Sequence, residues 1–320
     1  MTEQHKRPPR QRAKPQVSDQ PKLFDMPAKE TSGRVLHETS APPAEKGKGG
    51  RDNALAKSRQ ITPRPRTGLF GKAMLADAVE FLPQVPDTRS VDEITAFLRE
   101  RLHYSAAATR LRNANYIVKR MFLDGYADQG LLAYARLFPN RQELRDACFY
   151  RFCRAEPLMY DVIDEVVRPS LSRGVMKRKD LRDYLARRFP DSKSIKDCAQ
   201  AIVDVLIEAN VAGGSKTEVV VGQREILLPS LAFVLHSEFS RPGMYDIALL
   251  ESNRANRAML WDPSKLLPSL YELRNLGFLP KVSEIDRVRQ FTVRMDLDDV
   301  IGHLAQGKSD GPKAKTGSRA

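Results

Sequence analysis

Cysteine is scarce in this 320-residue chain, and the three present, Cys148, Cys153 and Cys198, form neither a CxxC pair nor an even set for a disulfide framework. That excludes a disulfide-stapled secreted module and makes a reducing cytoplasm the expected setting. No apolar run reaches the ~20 residues that span a bilayer. The nearest, Ile226 to Leu235, is interrupted by Pro229. The first residues lack the apolar core of a signal peptide, so no membrane association is expected.

Catalytic signatures are missing as well. The sequence has no Walker-type glycine loop, no HExxH, no GxSxG and no Cys/His spacing suited to zinc. The five histidines are scattered, and His103 and His303 each have a single acid one helical turn away, Glu100 and Asp299, short of a metal-ligand set. Asp161, Asp164 and Glu165 lie at helical spacing and could in principle hold Mg²⁺, but no lysine of a nuclease motif is near them. The expectation is a non-enzymatic protein without cofactor, metal or catalytic residues.

Positive charge is what the chain has in excess, with 53 Lys and Arg against 40 Asp and Glu, a formal net charge of +13. Its placement is uneven. Residues 1–72 carry 16 basic and 7 acidic residues, and residues 306–320 carry 4 and 1, so about one unit of net positive charge is left for the middle. The high pI is therefore a property of the ends, and the central part must be judged by local clustering.

Residues 1–72 are rich in Pro, Lys, Arg, Ser, Gly and Gln and poor in large apolar residues, which predicts a disordered basic arm. Residues 306–320 predict a similar basic tail. Leu69-Phe70 is an isolated apolar pair suited to the first contact of the arm with the core. From 73 to 167 apolar residues recur at three- and four-residue intervals, predicting a helical bundle with helices over 73–81, 91–102, 105–122, 128–137, 142–154 and 158–167. Ser90 followed by Glu93 predicts a capping box at the second helix.

Two later segments combine helices with strand signals. Over 168–228 the pattern predicts helices 179–188 and 194–209, a break at Gly213-Gly214, and strands 217–221 and 224–228, the order of a winged helix. Over 229–305 it predicts helices 231–239, 244–252 and 263–276, a strand 291–295 and a short helix 296–304, a second winged-helix-like unit. Pro268 leaves open whether the third of these helices starts at Pro263 or at Pro268. The fold class is thus mainly α: a helical bundle followed by two winged-helix-like units with small β-hairpins.

Three clusters of cations are candidates for contact with duplex DNA. Arg110, Arg112, Lys119 and Arg120 lie in a stretch without any acid. Between Arg168 and Lys196 ten basic residues face only Asp180, Asp183 and Asp191, with Lys177, Arg178, Lys179, Arg182, Lys193 and Lys196 as the phosphate-binding candidates. In the second unit Arg287, Arg289 and Arg294 would lie on the wing. Acids such as Glu251, Glu272 and Glu284 in that unit leave open a protein-interaction module instead. In the arm, Gln20 to Phe24 (QPKLF) resembles the QxxLF peptide by which bacterial DNA-processing proteins dock on the replication sliding clamp.

Over about Ser105 to Leu235 the segments ATRLRNANYIVKRM, RDACFYRFCRAEPLMYDVIDEVVRP and KRKDLRDYLARRF resemble the BrxA-type small component of bacterial BREX phage-exclusion systems. The resemblance implies a small, mainly helical DNA-binding protein without known catalytic chemistry, working beside other defence-system subunits. The long N-terminal arm and the second winged-helix-like unit depart from that pattern. An adaptor or scaffold in a multi-subunit defence or DNA-processing assembly is the alternative.

Overall fold

The computed structural model describes residues 68–214, 217–285 and 288–309. The predicted arm and tail fall almost wholly outside the described residues, as do the Gln20–Phe24 peptide and Arg287. Phe70 is packed, 8% exposed and edge-on to the Phe152 ring at 5.3 Å, and Leu69 lies against the same core.

Mainly helical, the chain forms α1 (Leu75–Phe81), α2 (Val91–Arg101), α3 (Ala107–Met121), α4 (Gln129–Leu137), α5 (Gln142–Ala155) and α6 (Leu158–Val162) in the bundle. A π-helical turn, Ile163–Val167, carries α6 into α7 (Arg168–Ser170). The starts follow local chemistry. Ser90 accepts from the Glu93 N–H at 3.3 Å, and Asp128 from the Leu131 N–H at 3.0 Å, each satisfying an orphan donor. The reciprocal half of the predicted capping box does not form, because Thr88 is better placed. Its hydroxyl donates to Glu93 and accepts from the Ser90 N–H at 3.0 Å.

α5 is central to the bundle. Leu144, Ala147, Cys148, Phe149, Phe152 and Cys153 are all buried, and α1, α3 and α10 (Leu228–Glu238) pack on it. Fully burying one such Phe or Leu contributes about 1.5–3 kcal/mol. Burial pushes the Cys148 thiol up to about 12 and raises Cys153 further, so both are packing groups rather than reactive thiols.

The first small sheet has antiparallel strands β1 (Val175–Lys177), β2 (Ala212–Gly214) and β3 (Glu218–Val221) in the order β1-β3-β2. Between β1 and β2 run α8 (Arg178–Arg188) and α9 (Ile195–Glu208). Val219 and Val221 alternate inward, and α9 turns Cys198, Ala201, Ile202, Val205 and Leu206 into the same core.

The hairpin differs from the predicted one. Its first strand is β2, before β3, and 224–228 is not a strand of this sheet. Arg224 is held elsewhere: its N–H donates to the Leu260 carbonyl and its carbonyl accepts from the Asp262 N–H, both at 2.8 Å. Its guanidinium also lies 2.6 Å from the fully buried Asp146 carboxylate.

The second sheet contains β4 (Gly243–Asp246), β5 (Lys281–Ile285) and β6 (Val288–Val293) in the order β4-β6-β5. α11 (Ile247–Ser252), α12 (Arg254–Ala258) and α13 (Pro263–Asn275) lie between β4 and β5, and α14 (Leu297–Ser309) closes the described chain. Met244 to Asp246, predicted helical, are strand: Tyr245 packs at 4.9 Å on Phe239 and 5.6 Å on Phe291, while its neighbour Met244 is 58% exposed. The helix starts only where Asp246 caps the Ala248 N–H. α13 starts at Pro263 behind the Asp262 cap, with Pro268 on its exposed side. α14 continues past Leu304 into the predicted tail.

Candidate nucleic-acid interface

α8 buries little of itself. Leu181 and Leu185 are its buried residues, one turn apart, and every other position is at least partly exposed. A peripheral helix of this kind leaves its cations in water. Lys177 at its N-cap is exposed, as are Arg182, Arg187, and Lys193 and Lys196 at the start of α9. None of these five has a carboxylate within 4 Å among the described residues. A groove of about 280 Å³ between α8 and α9 is lined by Arg178, Leu181, Arg182, Lys196, Asp197 and Gln200.

Other members of the cluster are engaged. Lys179 lies 2.5 Å from Asp183 one turn on, Arg188 2.7 Å from Asp161, and Arg178 donates to the Gln200 side chain at 2.9 Å. Arg168 and Arg173 sit about 4 Å from Asp164 and Asp180. The Lys179 pair is exposed, 74% and 46% for the two side chains. Exposed pairs of this spacing contribute only about 0.3–0.5 kcal/mol, so Lys179 stays available to another anion.

The α3 candidates separate. Arg112 and Lys119 are exposed and without a carboxylate partner among the described residues. Arg110 turns back to donate to the carbonyls of Arg99, Tyr104 and Ser105 at 3.0, 2.6 and 2.8 Å, locking the turn between α2 and α3. Arg120 is a correction to the sequence reading. It is 2% exposed, lies 3.1 Å from the buried Glu156, donates to the Lys72 and Ala73 carbonyls, and sits 4.4 Å from the Phe152 ring centroid. A guanidinium so enclosed joins the core together and cannot reach a phosphate.

In the second unit Arg289 pairs with Glu251 at 3.1 Å, and Arg294 is exposed. Arg287 lies outside the described residues. Sequence alone missed the role of α12: Arg254 and Arg257, together with Arg188 and Arg168, converge on the bundle acids. Asp161 accepts from Arg188 and Arg254 at 2.7 and 2.6 Å, and Asp164 from Arg257 at 2.8 Å. Two of the three carboxylates considered for Mg²⁺, Asp161 and Asp164, are thus joined to arginines that link both sheet-bearing units to the bundle. Among the described residues no group of three or more His, Cys, Asp or Glu is arranged to hold a metal.

Two groups, one half-buried and one buried, mark how the parts are joined. Glu208 at the end of α9 accepts from the Leu75 and Ala76 N–H groups at 3.0 and 2.9 Å, capping α1 from 133 residues away, and burial raises its pKa. His236 on α10 sits 3.1 Å from the Met295 carbonyl, and burial lowers its pKa, keeping the ring neutral. A neutral ring beside a carbonyl carries its proton on Nδ1.

No helix among the described residues is long and apolar enough to cross a membrane. No curated protein matches the chain. A solved structure described as "SspB crystal structure" shares the fold at a TM-score of 0.51 and 12% identity, over 80% of this chain and 92% of that one. Residues 70–206, which contain the whole bundle, α8 and nearly all of α9, match the family model described as BrxA, so over that stretch the chain is similar to BrxA-type proteins.

Proposed function

We propose that this chain is a non-enzymatic, cytoplasmic component of a BREX-type phage-exclusion system that binds duplex DNA through its first sheet-bearing unit. The order β1-α8-α9-β2-β3, with β3 in the middle of the sheet, is that of a winged helix, as is β4-α11-α12-α13-β5-β6. One observation carries the reading: Lys177, Arg182, Arg187, Lys193 and Lys196 are exposed along one helix and the start of the next, with no carboxylate within 4 Å of their charged groups among the described residues. Uncompensated cations on a rigid element neutralise phosphates and release condensed counterions.

The test is a titration of the full chain with duplex DNA over a range of salt. Lys177→Glu, Arg182→Glu and Lys196→Glu together are expected to weaken binding about 100-fold and to flatten the slope of log K against log salt by about 0.9 per lost phosphate contact. Unchanged affinity and slope in that folded variant would sink the reading.

The second unit favours a further role as a protein adaptor. On its sheet Met244, Ile285 and Val288 are 58%, 64% and 52% exposed, and Arg254, Arg257 and Arg289 are already paired with acids. Apolar exposure with neutralised cations suits a protein surface better than a phosphate backbone. Other subunits of the defence system are the partners this implies.

A further inference from the structure

We infer that α3, and not α9, is the helix that reads base sequence; this rests on the duplex-binding reading above. α9 occupies the position of a winged-helix recognition helix, yet its outward residues include Asp197 and Asp204, and Gln200 is held by Arg178 and Asp204 at 2.9 and 2.6 Å. Carboxylates in a groove walled by phosphates are repelled, and a glutamine with both ends bonded has little left for a base edge.

α3 presents the opposite surface. Ala114, Ile117, Val118 and Met121 face the core, and α2 packs along it. The other side exposes Ala108, Leu111, Arg112 and Lys119, with Asn115 half-buried among them. At 100° per residue these five fall within one arc of about a quarter turn. No acid occurs between Arg101 and Leu123. That charge pattern is complementary to duplex DNA and to no basic or apolar partner.

The residue types fit a major groove. Arginine makes bidentate bonds to guanine, asparagine to adenine, and an aliphatic side chain touches the thymine methyl. Arg112, Asn115 and Leu111 provide one of each. The Asn115 amide has no hydrogen-bond partner among the described residues, and Leu111 is 42% exposed although apolar. The entry into the helix, Ser105 to Ala108, is small and exposed, which allows close backbone approach. Arg110 fixes the turn before the helix by its three carbonyl contacts, so the reading face is held before DNA arrives.

The test is selection of bound duplexes from a random library with the full chain and with Asn115→Ala, Leu111→Ala and Lys196→Ala. The unaltered chain is expected to enrich a motif. Asn115→Ala should lose about tenfold discrimination at one base pair, with affinity for non-specific duplex unchanged. Lys196→Ala should weaken all duplexes alike and leave the motif intact. The same motif from Asn115→Ala and Leu111→Ala as from the unaltered chain overturns the inference, as does duplex binding with no enriched motif. If the unaltered chain binds no duplex at all, the function proposed above fails as well. Circular dichroism of each variant shows that the fold is kept.

Discussion

Helices α3 and α8 are both strongly basic, and the fold puts their cations to different use. α3 lies between α1, α2 and α5, so a wide arc of it is enclosed, and Arg120 and Arg110 on that side end on Glu156 and on backbone carbonyls. α8 rests on α9 and the sheet edge through Leu181 and Leu185, leaving Arg182 and Arg187 in solvent. A cation count along a helix therefore says little about surface charge until the width of its buried arc is known. Desolvating a guanidinium is costly without a partner, so a central helix must supply one.

The largest effect expected from this contrast is at Arg120. Arg120→Ala strands the Glu156 carboxylate in the core and should destabilise the protein by about 3–5 kcal/mol, read as a lower denaturant midpoint. A loss below about 1 kcal/mol would break the contrast, because it would make Arg120 a surface cation in effect. Next comes Arg110→Ala, which removes three charge-assisted bonds to carbonyls and is expected to cost about 1–3 kcal/mol. The same substitution at Arg187 on α8 should change stability by less than about 0.5 kcal/mol.

The smallest expected effect sharpens the picture of α8 itself. Asp183→Asn releases Lys179 from its exposed pair. Stability should fall by no more than about 0.5 kcal/mol, while duplex affinity rises slightly at low salt. A fall in affinity would show that Lys179 is held in place for its contact by Asp183.

Much of the helical architecture was legible in advance. Periodicity placed both ends of α2, α4, α5, α8 and α9 within one residue, because an amphipathic helix writes its buried face into the order of its own residues. Short strands were harder. β1 is three residues long and β5 lacks a strict alternation of apolar residues, so neither carried a signal above its flanks. The choice of Ala212–Gly214 over 224–228 as hairpin partner depended on Arg224 being drawn to Asp146 and Leu260, 78 and 36 residues distant in sequence. The basic cluster around α8 was visible as composition, but which members stay unpaired was not. Lys177, Arg182 and Lys196 look no different in the sequence from Lys179 and Arg188, which meet Asp183 and Asp161.

The order of residues by itself determined where helices start, as at Ser90, Asp128 and Asp262, and where charge accumulates, because caps and periodicity act over a few neighbouring residues. Tertiary structure alone decided that Arg120 is core, that Glu208 caps α1, and that Asp161 and Asp164 are joined to arginines of both sheet-bearing units. Those pairings link groups distant along the chain, and the long-range ones exist only once packing has brought the elements together. Burial then makes an ionic partner necessary where water would otherwise have served.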